Sequence, residues 1–176
     1  MTRYHPALVA LHWLMALMIL GALAGGGIAL ASLPMDSQDK VTGLAGHMSF
    51  GLAIGVLLCL RLLVRVSTQR PAHAQTGNAI LDMLGRWTHW GFYLLIGAMV
   101  LSGLATALGA GLFPIVFGGS GDPLPPEINT LPQRAAHGFV ALALLGLIIL
   151  HLCAAVYHQA ILRDGLLRRM WFGSRS

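Results

Sequence analysis

The chain holds eight histidines in 176 residues. Three of them, His137, His151 and His158, lie in Ala135 to Leu162, which contains no Asp, Glu, Lys or Arg. An uncharged stretch of that length reads as a membrane-spanning helix. Imidazoles at membrane depth are costly, so a function is the first reading of each. Fourteen residues is close to four helical turns, which sets His137 and His151 on one face, about 21 Å apart along the axis. One then falls near each surface of the hydrocarbon layer, and His158 keeps nearly the same face at the interface. One imidazole per leaflet is what a helix needs to hold two stacked haems, if other helices supply the opposite axial ligands.

Depth sorts the remaining histidines. His12 follows Pro6 by six residues, about 9 Å into the layer from its own side, which is the depth expected of His151. His47 enters from the other side at the depth of His137. It belongs to the row Gly43, His47, Gly51, Gly55, whose small residues leave a flat groove for a haem edge, with Gly51 and Gly55 beside the imidazole. The same row also fits a close helix–helix contact. Two pairs follow, His12 with His151 and His47 with His137. Bis-imidazole ligation leaves iron no open position, so the chemistry is outer-sphere electron transfer. His89 stands three residues after Arg86 and reads as shallower than His12. That depth suits a haem propionate or quinone contact, with a ligand role left open. His5 and His73 read as solvated.

These residues need helices to carry them, and composition supplies the helices. Hydrophobic residues make up 56% of the chain and charged ones 10%, with mean hydropathy +0.74, more apolar surface than a soluble domain can hide. The expected fold is an all-α membrane protein, a four-transmembrane-helix bundle in one domain over residues 1–176. The spans are Ala7–Leu33, Gly43–Leu63, Trp87–Leu108 and Ala135–Leu162. Nine arginines (3, 61, 65, 70, 86, 163, 168, 169, 175) flank one side, and only Lys40 and Arg134 flank the other. The positive-inside rule therefore places both termini in the cytoplasm. The inner side carries +7 and the outer side −2, which accounts for the net +5. The pI near 10 is thus a topology signal rather than one of nucleic-acid binding.

Cys59 and Cys153 lie inside apolar spans and read as small hydrophobes. Ala29-Leu30-Ala31 imitates a signal-peptidase site, but the apolar run before it is too long for a signal, and cleavage would discard His12. The long loop Gly109 to Gln133 holds Phe113, Ile115, Val116 and Phe117, which predict that it partly dips back or lies on the surface. Its Gly118-Gly119-Ser120-Gly121 run lacks the strand–helix context of a phosphate loop. The basic tail from Arg163 to Trp171 reads as a topology anchor on anionic inner-leaflet lipid.

The chain resembles the bacterial cytochrome b561 family, over nearly its whole length. The marks are Arg3-Tyr4 before Leu11-His12-Trp13, Gly46-His47, Arg61 to Arg65, and His89 ahead of Tyr93-Leu94-Leu95. His137 and His151 fourteen apart and the closing Arg163-Asp164-Gly165-Leu166-Leu167-Arg168 complete the set. The resemblance implies a four-helix, di-haem protein of the bacterial inner membrane with axial ligands His12, His47, His137 and His151. That family includes a superoxide oxidase, which passes electrons from superoxide through both haems to ubiquinone. Resemblance to that member implies a basic residue at Arg134 and a quinone-side histidine at His158. Members often carry His-His where this chain has His158-Gln159, and the outer loop also diverges.

The expected function is transmembrane electron transfer through two b-type haems, with superoxide oxidised outside and ubiquinone reduced inside. Local steering of the anion falls to Arg134 and Lys40, and the quinone contacts to His158, His89 and Arg3. A cytochrome b anchor passing electrons between a periplasmic dehydrogenase and quinone would share fold and ligands. A metal transporter would want intramembrane carboxylates, which these spans lack.

Overall fold

The computed structural model describes residues 3–69, 71–72 and 76–173, and its regular elements there are all helical. His73, Arg70 and Arg175, which entered the sequence reading, lie outside the described residues. Four helices are long and apolar enough to cross a membrane: α1 (Pro6–Ser32), α2 (Gln38–Ser67), α3 (Ala79–Gly109) and α5 (Pro132–Leu162). Among the described residues three short helices complete the fold: α4 (Leu112–Val116) and a 3₁₀ turn (Pro126–Thr130) in the long loop, and α6 (Leu166–Arg169) in the tail.

Each span starts on a local signal. Pro6 occupies the first turn of α1, and the His5 ring accepts from the Ala7 N–H at 3.2 Å. His5, expected to be solvated, is therefore a capping residue. Ser37 caps α2 through the Lys40 N–H, with Asp39 in the first turn. Asn78 caps α3, its Oδ1 accepting from Ile80 and Leu81 at 2.9 and 3.3 Å. Pro132 opens α5.

The expected spans hold, but α2 and α3 start earlier than expected, α3 by eight residues. Asp39, Lys40 and Asp82 lie in first turns, where charge is tolerated and acids favour the helix dipole, and Arg86 follows about one turn further in. Hydropathy alone trims these turns away. Two spans widen locally into π-helical turns, Gly25–Ala29 in α1 and Tyr157–Leu162 at the end of α5. Both widenings fall beside histidines.

Packing is sequential: α1 against α2, α2 against α3, and α3 most extensively against α5. Among the four spans, α5 packs backbone to backbone on α3, and it meets α1 and α2 across a gap bridged by side chains. Halfway along the bundle, Met15, Ile54, Leu58, Ile96 and Leu144 form a buried cluster. Outward faces carry large apolar residues such as Ile28, Leu94 and Phe139, each more than 70% exposed in the isolated chain, as lipid-facing positions require.

At one end the long loop folds back on the bundle. Leu112, Leu124 and Ile128 bury against Ala107, with Met35, Leu44 and Met48 packed around them. The expected dip of this loop is thus a cap over the outer end. At the other end both termini meet: the Tyr4 N–H donates to the Arg169 carbonyl at 3.1 Å, and Trp13 Nε1 donates to the Met170 carbonyl at 2.9 Å. This arginine-rich end is the inner face below.

Candidate haem-binding sites

Near the outer face, His47 of α2 and His137 of α5 oppose each other across the gap, ring centroids 6.1 Å apart. His137 is held by α3, since its Nδ1 lies 3.1 Å from the Met99 carbonyl and 3.1 Å from Ser102 Oγ. A carbonyl can only accept, so Nδ1 carries the hydrogen and Nε2 keeps its lone pair for a metal. Gly103 makes room for this ring: a Cβ there would lie 3.1 Å from His137 Cε1.

His47 is seated differently. Its ring rests against the π turn of α1, where a Cβ on Gly26 would lie 2.7 Å from His47 Cε1. His47 Nδ1 is buried without a hydrogen-bond partner among the described residues. A polar atom left in that state is costly unless the ring is engaged in another way, such as ligation. Between the two rings opens an apolar crevice lined by Gly51, Ile54, Met99, Val100 and both histidines.

The glycine row of α2 divides its labour. Gly51 lines the crevice, and a side chain there would meet nothing within 4 Å. Gly55 does not stand beside the imidazole as expected: its Cα faces α3, where a Cβ would lie 3.1 Å from Val100 Cγ1. Gly43 likewise backs onto Leu30 of α1. These two glycines serve the close helix contact that the row equally allowed.

Near the inner face, His12 of α1 and His151 of α5 have centroids 6.3 Å apart, and Phe92 packs edge-on to His151 at 5.3 Å. His89 of α3 joins them, 6.1 Å from His151. It is therefore not shallower than His12 but level with it, because α3 begins at Ala79 and His89 lies three turns inside. The Asn78 cap followed by Asp82 is the sequence signal that would have shown this. Arg61 stands beside this group, donating to the Leu8 carbonyl at 3.1 Å, and its charge reaches both His12 and His151. Arg65 lies over the Tyr93 ring at 5.6 Å.

The pairs fit a bis-imidazole iron. A metal–imidazole bond of about 2.0 Å, with the ring centre about 1.1 Å behind the nitrogen, puts two rings on one metal about 6.2 Å apart. His47–His137 and His12–His151 match that spacing, and so does His89–His151. Both matching helix faces belong to α5, with α1, α2 and α3 supplying the rings opposite.

Other expected site residues are placed as follows. The Lys40 ammonium is bound by the Leu30 and Leu33 carbonyls at the end of α1, so it caps that helix rather than reaching out for an anion. Arg134, half-buried, has no hydrogen-bonding partner for its guanidinium among the described residues, and its charge acts on both His47 and His137. Arg3 bonds the tail carbonyls of Phe172 and Trp171 at 2.5 and 3.4 Å, which ties the termini together instead of facing a quinone. His158 lies at the inner end of α5 with its Nδ1 2.5 Å from Asp164 Oδ2. Met99, Ser102, Gly26, Gly103 and Asp164 were not singled out for a role by sequence reasoning.

Comparison with known proteins identifies the family. The family described as prokaryotic cytochrome b561 matches residues 3–173. The chain belongs to the prokaryotic cytochrome b561 family. Members of this family bind b-type haem and carry electrons across membranes, so the chain is a haem-binding oxidoreductase of a bacterial membrane. It is 29% identical over 173 residues to "Probable superoxide oxidase CybB" of Yersinia pestis, covering 96% of this chain and 95% of that protein. It is 28% identical over 177 residues to "Cytochrome b561 homolog 2" of Escherichia coli (strain K12), covering 96% and 90%.

Proposed function

We propose that this cytochrome oxidises superoxide at the outer face of the bacterial inner membrane and reduces ubiquinone at the inner face. The whole chain acts as one di-haem domain, with both termini cytoplasmic. His47 and His137 would hold the outer b-type haem, and His12 and His151 the inner one. The observation that carries this reading is geometric: two imidazole pairs, 6.1 and 6.3 Å across, are built on one helix fourteen residues apart. A b-type haem held between two such imidazoles would supply one-electron outer-sphere transfer.

The residues around each pair suit the two ends of that reaction. Arg134 is the cation next to the outer pair, where a small anion would approach. The cap built by Leu112, Leu124 and Ile128 packs apolar side chains over the outer end of the bundle. At the inner end, His158 and His89 bring imidazoles to the region where a quinone head group must be bound and protonated. The likeness to the Yersinia pestis protein supports superoxide as donor.

The test is turnover by the purified single chain in liposomes. Superoxide generated outside should reduce enclosed ubiquinone, two superoxide anions and two protons giving one quinol and two O₂. Absence of superoxide-driven haem reduction would refute the donor assignment. The alternative, an anchor for a periplasmic dehydrogenase, gains support from Lys40, whose engagement with Leu30 and Leu33 removes half of the expected steering pair. In that case haem reduction would require a second protein.

A further inference from the structure

The inner face holds a pair of groups that haem ligation does not use. At Arg163 the chain turns into the left-handed region, φ 51°, and Gly165 follows at φ 69°. This reversal swings the Asp164 carboxylate back under the π turn that carries His158. Oδ2 meets His158 Nδ1 at 2.5 Å, and Oδ1 accepts the Leu166 N–H at 2.9 Å. Both oxygens are therefore committed, and the carboxylate is fixed in place. The tail that bears it is pinned in turn by Arg3, Tyr4 and Trp13. The His158 side chain is only 12% exposed, which makes the pair more than a passing surface contact.

We infer that Asp164 is the positioning residue that holds His158 as the proton donor for quinone reduction, an inference that rests on the ubiquinone reading above. Two electrons arriving from the outer donor and two protons convert a quinone to a quinol, one proton going to each carbonyl oxygen. The His158 imidazolium gives up the proton on Nε2 and becomes neutral, while its Nδ1–H stays donated to Asp164. Water at the inner face then returns that proton to His158 and supplies the second one to the other carbonyl oxygen. A carboxylate at Nδ1 fixes the ring and its tautomer and leaves Nε2 as the nitrogen that can face the quinone. The other charges facing the pair are Asp82 of α3, which acts on His158 and has Arg86 beside it, and Arg169 of α6, which acts on Asp164.

The experiment uses the full-length, haem-loaded protein, reduced and then mixed with a short-chain ubiquinone analogue or with ferricyanide, which accepts an electron without a proton. Asp164→Asn should keep both haem spectra and the ferricyanide rate. It should slow oxidation by the quinone about tenfold. Asp164→Glu should restore the wild-type rate. Equal slowing with both oxidants, or no rescue by Asp164→Glu, would assign Asp164 a merely structural part and overturn the inference. Should Asp164→Asn fail to assemble, His158→Gln must lose quinone oxidation while keeping that by ferricyanide, and an unchanged quinone rate overturns the inference equally. A wild-type protein that the quinone does not oxidise at any pH overturns the ubiquinone reading itself.

Discussion

His137 Nδ1 lies 3.1 Å from the carbonyl oxygen of Met99, a residue of the helix on which α5 packs most closely. Together with Ser102 Oγ at 3.1 Å it fixes the ring so that Nε2 is the nitrogen left for a metal. His47, across the gap, has no such hydrogen bond and is held by shape, its ring seated on Gly26. The two opposed rings are thus positioned by different means, and the means predict different sensitivities.

Gly26→Ala tests the seat of His47. The added Cβ would stand 2.7 Å from His47 Cε1, so either the imidazole or α1 must shift. Overpacking of this kind costs about 1–3 kcal/mol. The expected result is loss or spectral perturbation of the outer haem with the inner one intact, read from reduced-minus-oxidised spectra. Wild-type spectra and melting temperature would show that the contact is slack.

Arg134→Glu tests steering at the outer face. The outer loops sum to −2, so attraction of an anion must be local, and Lys40 is already bonded to carbonyls. Superoxide-driven haem reduction should slow several-fold with haem content unchanged. The loss should shrink as the Debye length falls below about 10 Å near 0.1 M salt. Insensitivity to both the charge change and salt would favour a docked protein donor.

Acid should release the tail. Partial burial alone would push the Asp164 carboxyl up. The hydrogen bond from His158, the Leu166 N–H and the charges of His158 and Arg169 outweigh it, so the group stands below the usual carboxylate range. A depressed carboxyl contributes stability that is full above its unfolded value and lost as pH falls through its folded one. Cleavage of the Leu166–Phe172 tail in detergent by pepsin, which works in acid, is therefore expected to start only below about pH 4. Asp164→Asn should already be cleaved at about pH 5; equal protection of variant and wild type would contradict this role.

Much of this architecture is visible in the amino-acid order because a bilayer enforces simple rules. The four apolar runs, the arginine asymmetry and the fourteen-residue spacing of His137 and His151 each follow from one helix at a time. What was not legible depends on pairs of helices. Whether Gly55 faces a crevice or Val100 turns on how α2 rolls against α3, and glycine periodicity is the same in either case. The depth of His89 was hidden because Asp82 in the first turn and Arg86 in the turn after it mask the true start of α3. Lys40 and Arg3 are basic residues that close helix ends and termini, a use that charge alone does not reveal. Asp164 gained its role only once the left-handed turn at Arg163 folded the tail back.

The central claim is that two haems are held by two imidazole pairs sharing α5, and His89 supplies the sharpest challenge, since it lies 6.1 Å from His151 where His12 lies 6.3 Å. Haem per chain, measured by the pyridine haemochrome assay on wild type and single alanine variants, tests it most directly. Two b-type haems are expected in wild type. His47→Ala and His137→Ala should lose the same outer haem, His12→Ala and His151→Ala the same inner one, and His89→Ala should keep both. One haem or none in the wild type, or loss of a haem in His89→Ala with retention of both in His12→Ala, would contradict the account.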